Sequence, residues 1–258
     1  MKQKNCLPAL IGLTALALAV LSSAIAVDWM NYAYHSGSVY SFWAKPTVTL
    51  LSFVLLLVMR KWSIRGWGML VAAFACMFVT DILMSIVPLS AKETVGGTVF
   101  MVGGILSIAA HAILILRIRS DWHCVRKLTL RRSWLPLLTY GVAVVAIVIL
   151  WKDIVRVGHA VLAPIYTFFF CTTMWFSWET VRSGLYPKPN AVMMGLAASG
   201  WFMTEIFGEI FNLDLGMISS VTFCLVWIFY GSNVMLWALS TVDWAKLRES
   251  ICEKRHGA

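Results

Sequence analysis

The sequence predicts an all-α, polytopic membrane helical bundle with about eight transmembrane helices and cytoplasmic N- and C-termini. Three features predict this fold class: the composition, a series of long apolar runs, and the uneven placement of basic residues. Of the 258 residues, 60% are hydrophobic and only 13% are charged. Soluble domains are about half apolar and about a quarter charged. Most of the surface must therefore face hydrocarbon.

Eight apolar runs account for most of the chain. A helix that crosses a bilayer needs roughly 20 mainly apolar residues, and it must satisfy its own backbone hydrogen bonds. The runs cover residues 7–27, 44–59, 67–87, 95–118, 134–151, 159–178, 191–211 and 219–239. The loops between them are short, so we expect residues 1–258 to form a single transmembrane helical domain.

The basic residues indicate which way the helices run. Of the 21 Lys and Arg, all but four (Lys45, Lys92, Lys152 and Arg156) lie in one set of alternate loops and ends. Cytoplasmic loops carry such an excess, so the pattern places both termini inside. The net charge of +9 is then a topology signal and does not indicate a nucleic-acid partner. The expected partner is the lipid bilayer, and the short loops favour a bacterial inner membrane.

Several function classes lack their sequence signatures. The six cysteines are scattered without a CxxC pair, which favours neither a disulfide framework nor a metal site. No Walker loop, GxSxG elbow, HExxH or dinucleotide fingerprint is present. We therefore expect neither a metal nor an organic cofactor. Acid–base chemistry by carboxyl groups stays open.

Two carboxyl groups inside apolar runs are the strongest candidates for a functional site. Asp81 and Glu205 each lie about one turn beyond the centre of their runs, and those runs cross in the same direction. Ionisable groups inside a membrane are costly and tend to face the bundle interior. We expect these two side chains to share one site. The alternative is that each forms structural hydrogen bonds separately. Glu209 lies one turn beyond Glu205 on the same helix face.

Other polar residues interrupt the apolar runs. Lys45 could remain at the interface, neutralise the acids or bind a lipid phosphate. His111 is either a hydrogen-bond partner between helices or a functional residue. Tyr166 and Asn233 could join helices or line a polar cavity.

Short segments on runs two to eight form a recognisable series: Lys45-Pro46, Thr80 to Leu83, Phe100 with Gly103 and His111, Pro164 with Tyr166 and Met174, Ala197 to Glu205, and Tyr230 to Asn233. In this order they resemble motifs of the YhhN-type or lysoplasmalogenase-like membrane proteins. Five positions depart from that family's pattern: Thr80 replaces Gly, Leu114 replaces Tyr, Thr204-Glu205 replaces Ser-Asp, and Asn233 replaces Gln.

The resemblance implies a hydrolase that cleaves the vinyl-ether bond of a lysophospholipid, releasing a fatty aldehyde and a glycerophospho head group. It implies catalytic roles for Asp81 and Glu205. The implied substrate-binding residues are Lys45, His111, Tyr166, Tyr230 and Asn233. A non-enzymatic lipid-binding or transport protein could use the same polar pocket, and a structural envelope protein is a third possibility. Transporters often contain internal repeats, and none is evident in this sequence.

The predicted topology can be tested with reporters inserted into single loops. Alkaline phosphatase inserted after Gly158 should be active in a bacterial host, because that loop is expected outside, and inactive after Gly184. Green fluorescent protein should give the reverse pattern. One reporter working equally at both positions would contradict the assigned direction of the helix between them.

Overall fold

The computed structural model describes residues 6–34, 40–86, 93–119, 134–156, 158–212 and 217–249. These parts of the chain are all-helical, apart from turns and one isolated bridge between Ser63 and Val242. The long helices are α1 (Cys6–Tyr34), α2 (Tyr40–Val58), α3 (Trp67–Asp81), α4 (Glu93–Arg119), α5 (Trp134–Arg156), α6 (Leu162–Ser183), α7 (Lys188–Asn212) and α8 (Met217–Leu239).

Five stretches within the described residues are long and apolar enough to cross a membrane. The remaining long helices differ in kind: α6 and α7 carry more polar residues, and the described apolar part of α8, Cys224–Leu239, is shorter. The prediction of an all-helical protein with several membrane-crossing helices is therefore confirmed. The five stretches are Leu7–Val27, Trp43–Trp62, Trp67–Ser85, Met101–Arg119 and Trp134–Lys152.

Six helices form a closed ring. Following the packing contacts around it, α2 touches α3, α3 touches α4, α4 touches α6, α6 touches α7, α7 touches α8, and α8 returns to α2. Helix α1 lies outside against α2 and α8, and α5 lies outside against α6. Only 22% of the apolar stretch of α1 and 17% of that of α5 is buried, against 44% for α2 and α4. The interior of the bundle is therefore made by the ring.

Helices α2 and α8 are neighbours in this ring and run parallel to each other. Their C-terminal ends are joined where the Asp243 amide donates to Trp62 O (2.6 Å) and the Ile64 amide donates to Thr241 O (2.7 Å). Further along the same two helices, Thr49 contacts Tyr230. Because both pairs of contacts run in the same order along the chain, the two helices point in the same direction.

Helix α3 changes its geometry at Asp81. The α-helix ends there and continues as a π-helical segment, Ile82–Ile86. Insertions of this kind are rare and are often found at functional sites. The π-helical segment and α4 approach each other closely at Gly103. The position has no side chain, and a Cβ there would lie 2.9 Å from Met84 Cγ. The Thr80 hydroxyl donates to Gly103 O (3.2 Å) and fixes the same crossing.

Helix α2 begins earlier than the apolar pattern indicates. It starts at Tyr40, so Pro46 lies in its second turn rather than at its entry. Proline has no N–H to donate within the helix. The early start extends the short predicted run and places Lys45 within the helix.

Asn190 connects the start of α7 to the end of α8. Its Nδ2 donates to Ser240 O (2.8 Å) and Val242 O (2.7 Å), and the side chain is only 1% exposed. Asn190→Ala should lower the free energy of unfolding by about 1–3 kcal/mol, because two buried carbonyls lose their donor. Thermal unfolding in detergent measures this. Lys188→Ala, an exposed change two residues away, should have almost no effect, and equal effects would contradict the role of Asn190 in joining the two helices.

Candidate functional site

Asp81 is the centre of a buried polar cluster formed by three helices. Its Oδ1 lies 3.4 Å from Lys45 Nζ on α2. Its Oδ2 accepts hydrogen bonds from Thr49 Oγ1 (2.5 Å) on α2 and from the Tyr230 hydroxyl on α8. The aspartate side chain is 3% exposed and the lysine side chain 29% exposed. The cluster is therefore closed around the acid and partly open at the lysine.

Every group that contacts the Asp81 carboxyl in this cluster is a hydrogen-bond donor. Two hydroxyls and an ammonium suit an ionised carboxylate, which only accepts hydrogen bonds. The Lys45 ammonium also lies 4.7 Å from the centroid of the Tyr230 ring, a cation–π distance. The arrangement thus holds a carboxylate and a cation together and keeps a phenol hydroxyl against them.

Thr49 belongs to this cluster although the sequence did not single it out. Its hydroxyl contacts Asp81, lies 2.9 Å from the Tyr230 hydroxyl and is 3.3 Å from Lys45 O. One signal could have found it: Thr49 lies four residues after Lys45, so the two share one helix face. A lone threonine in an apolar run is too common to be singled out without that partner.

Glu205 forms a second carboxyl–phenol pair. The Tyr166 hydroxyl on α6 donates to Glu205 Oε1 on α7 at 2.7 Å. The side chains of Ser107 on α4 and Trp201 on α7 lie close to the Tyr166 hydroxyl. Each of the two carboxyls expected in the site therefore accepts a hydrogen bond from a tyrosine hydroxyl.

The two pairs are neighbours, because Tyr166 and Tyr230 are close enough to interact electrostatically. The structure thus brings Lys45, Asp81 and Tyr230 into one cluster and Tyr166 and Glu205 into a neighbouring one.

His111 lies beside the second pair in an aromatic environment. It is 1% exposed, and its ring lies 4.3 Å from the ring of Trp201 and 5.7 Å from that of Tyr166, centroid to centroid. The Thr173 hydroxyl donates to Phe169 O (2.9 Å), so His111 Nδ1 carries the proton that meets Thr173 Oγ1 at 3.1 Å. His111 Nε2 is then an acceptor, with no hydrogen-bond partner among the described residues.

Asn233 is fully buried on α8 and packs against Gly200 of α7, where an added Cβ would lie 3.3 Å from Asn233 Cβ. The side chain of Glu209 lies outside the described residues, as does that of Phe100.

A surface depression on α5 is lined by none of these residues. It has a volume of about 450 Å³ and is lined by Pro136, Leu137, Tyr140, Gly141 and Val144 on the outer helix α5. Its lining is apolar and lies on a helix that contributes no residue to either carboxyl pair. We assign it no part in the chemistry.

Comparisons with protein-family models, with curated proteins and with solved structures find no match to this chain. The geometry of the two carboxyl–phenol pairs is therefore the basis for a functional proposal.

Thr49→Val should destabilise the protein by about 1–3 kcal/mol, because a buried carboxylate loses one donor while the side-chain shape is kept. Thermal unfolding in detergent measures the change, and Thr49→Ser should restore most of it. Thr47→Val is the matched control, since the Thr47 hydroxyl donates only to Trp43 O of its own helix (2.7 Å). Equal losses for the two valine variants would contradict the central role of Thr49.

The Lys45–Asp81 pair predicts non-additive stability changes. Lys45→Met alone should cost about 2–3 kcal/mol, less than the ~3–5 kcal/mol of a fully buried pair, because Lys45 is partly exposed. Adding Asp81→Asn to Lys45→Met should recover much of that loss, since no unpaired carboxylate remains. The exposed Lys61→Met should combine additively with Asp81→Asn. If the changes in unfolding free energy were additive in both double-mutant cycles, the Lys45–Asp81 pairing would be ruled out.

Proposed function

We propose that this chain is a membrane-embedded acid–base hydrolase of the lysoplasmalogenase-like, YhhN-type kind. The observation that supports it best is the pair of adjoining carboxyl–phenol clusters, one of them neutralised by a lysine. The substrate would be a lysophospholipid with a vinyl-ether chain. The products would be a fatty aldehyde and a glycerophospho head group.

Cleavage of a vinyl ether needs an acid first and a base second. A proton adds to the chain carbon one bond beyond the ether carbon, and the ether carbon becomes part of an oxocarbenium ion. Water then attacks that carbon and gives up a proton, which forms a hemiacetal. The hemiacetal collapses to an aldehyde and releases the glycerol oxygen as a hydroxyl. Two carboxyl groups of unlike protonation perform the related steps of glycosidases.

The surroundings of Asp81 favour the carboxylate role for this residue. Lys45, Thr49 and Tyr230 all direct donors at it, so Asp81 is suited to stabilise the cation and accept the proton from water. Glu205, held by Tyr166, would then supply the proton to carbon. A proton would return from Asp81 to Glu205 through the hydroxyls bonded to them, those of Tyr230 and Tyr166.

Lys45 would bind the phosphate of the substrate. It is the most exposed member of its cluster, at 29%, and it lies one turn before Thr49 on α2 (towards the predicted outer face). A phosphate at the ammonium would place the glycerol and the vinyl ether next to Asp81. His111 Nε2 and Asn233 would contact the substrate hydroxyl or water.

The same proposal includes the finer topology. Eight membrane crossings with both termini in the cytoplasm fit the eight long helices of the described chain and the placement of Lys and Arg. A bacterial inner membrane fits the short loops. Asp81, Glu205 and Tyr166 would then lie in the outer half of the bilayer and Tyr230 near its centre.

The purified protein in detergent should release aldehyde from a lysoplasmalogen. Asp81→Asn and Glu205→Gln should each reduce kcat by about 100-fold or more, because each removes an acid–base group, and the double variant should have no turnover. Glu249→Gln, an exposed change near the C-terminal end, should retain full activity. Full activity in the double variant would refute the site.

An ester-linked lysophospholipid with the same head group identifies the bond that is cleaved. Fatty acid release that is lost in the same variants would keep the site and replace the vinyl ether by an ester. Lack of product from both lipids, with the protein folded, would refute the hydrolase proposal and favour a binding or transport role.

A further inference from the structure

Three exposed cations lie at the turn between α2 and α3. Arg60 and Lys61 belong to the short 3₁₀-helix Met59–Trp62 that follows α2, and the Lys246 ammonium donates to Lys61 O at 3.2 Å. All three side chains are exposed; we call these residues the turn cations. Lys246 is 185 residues from Lys61 in the chain, so the tertiary structure brings this group together.

Two backbone hydrogen bonds hold the turn against the end of α8. The Asp243 amide donates to Trp62 O, and the Ile64 amide donates to Thr241 O. They join the segment that carries one turn cation to the segment that carries the other two. The rule that cytoplasmic loops are basic explains the sign of the charge in each segment. It does not require two segments to place their cations side by side.

No carboxylate of the described chain neutralises the turn cations, since none of the three forms an ion pair there. Asp243 is the nearest acid along the chain to Lys246. Its Oδ1 accepts the backbone N–H of Lys246 at 3.0 Å, which caps the short helical segment that follows. Glu249, three residues after Lys246, is exposed and unpaired within the same described part. Because like charges repel, an anion from outside the chain would stabilise the group.

Two tryptophans lie under the turn cations. The Lys246 ammonium is 5.9 Å from the centroid of the Trp62 ring, and the Arg60 guanidinium is 5.0 Å from that of Trp67. The apolar stretch of α2 ends at Trp62 and that of α3 begins at Trp67. The turn therefore lies at the level where tryptophans and lipid head groups meet at a membrane surface.

Exposed apolar side chains continue from the turn along both helices. Leu57 and Val58 directly precede the 3₁₀-helix and are 43% and 39% exposed, and Met69, two residues after Trp67, is 40% exposed. Cations beside such a surface fit a molecule that has an anionic head and an apolar tail. A free phosphate ion would use the cations only.

We propose that the turn cations bind the phosphate of an anionic membrane phospholipid, with its acyl chains along the exposed side chains of α2 and α3. The Arg60 guanidinium offers paired N–H donors to phosphate oxygens. The Lys246 ammonium uses one of its three N–H groups on Lys61 O and keeps two for the lipid. Basic pockets at the cytoplasmic ends of membrane helices bind lipid head groups with these contacts.

This site is separate from the proposed hydrolase site. Lys45 and Arg60 are fifteen residues apart along α2 and its 3₁₀ extension, which is about 20 Å at 1.5 Å per residue. The proposed topology places the bound lipid in the inner leaflet. The binding itself depends neither on that topology nor on hydrolysis.

Native mass spectrometry of the full chain in detergent counts the bound lipids. Phosphatidylglycerol should be retained in preference to phosphatidylcholine with the same acyl chains. Lys61→Gln should weaken the binding of the first phosphatidylglycerol about five-fold, and Arg60→Gln with Lys61→Gln about 25-fold, because each basic residue contributes separately. Lys152→Gln is the matched control: it removes an exposed cation of the outer helix α5 and should leave this binding unchanged.

Three results would overturn the proposal: equal retention of the two lipids, unchanged binding in the double variant, or an equal loss in Lys152→Gln. Glycerol 3-phosphate supplies a further arm. If it displaced phosphatidylglycerol at the same concentration as the lipid itself, the site would recognise a soluble phosphate and the assignment to a membrane lipid would be wrong.

Thermal unfolding separates lipid binding from helix capping, because cations also stabilise the carbonyl ends of helices. Phosphatidylglycerol should raise the melting temperature of the wild type. Lys61→Gln should lose part of that rise and melt like the wild type without the lipid, since the Lys61 side chain forms no hydrogen bond, ion pair or ring contact among the described residues. A Lys61→Gln variant that melts lower by the same amount with and without the lipid would show a structural role alone and refute the lipid site.

Discussion

The bundle is organised by the need to neutralise one carboxylate inside a hydrophobic interior. Removing an ion from water costs several kcal/mol, and an opposite charge with further hydrogen bonds has to offset that cost. Asp81 obtains its cation from α2 and its hydroxyls from α2 and α8. Satisfying this single group therefore fixes the positions of three helices relative to each other. The π-helical segment after Asp81 and the close crossing at Gly103 adapt α3 to that requirement.

The six ring helices contribute to the candidate site together. Lys45 comes from α2, Asp81 from α3, His111 from α4, Tyr166 from α6, Glu205 from α7, and Tyr230 with Asn233 from α8. The two outer helices, α1 and α5, contribute none of these residues. A site built in this way exists only when the ring is closed, so stability and function depend on the same contacts. Polar groups that lie far apart in the chain become one network because membrane-buried side chains have few other partners.

The helices and the charged residues of this arrangement could be predicted from the sequence, whereas the hydroxyl residues and the contacts between helices could not. Each apolar run overlaps one of the eight long helices, because hydrophobicity and backbone satisfaction act locally. Asp81, Glu205 and Lys45 stood out because charges are rare in such runs. Thr49 did not, since a hydroxyl in an apolar helix is common and gains meaning only from its neighbour Tyr230 on α8. The bonds of Tyr166 to Glu205 and of Tyr230 to Asp81 depend on the crossing of four helices, which no local pattern records.

The sequence by itself determined the helical class, the positions of the apolar segments and the identity of the ionisable groups that had to be buried. These follow from composition and from the free energy of each residue in hydrocarbon. Only the tertiary structure decided which partner each buried group obtained: Asp81 pairs with Lys45, Glu205 with Tyr166, and His111 with Thr173. Partner choice depends on register and direction between helices distant in the chain. Those are set by the packing of the whole ring, as at Gly200, where the absence of one side chain admits Asn233 to the interior.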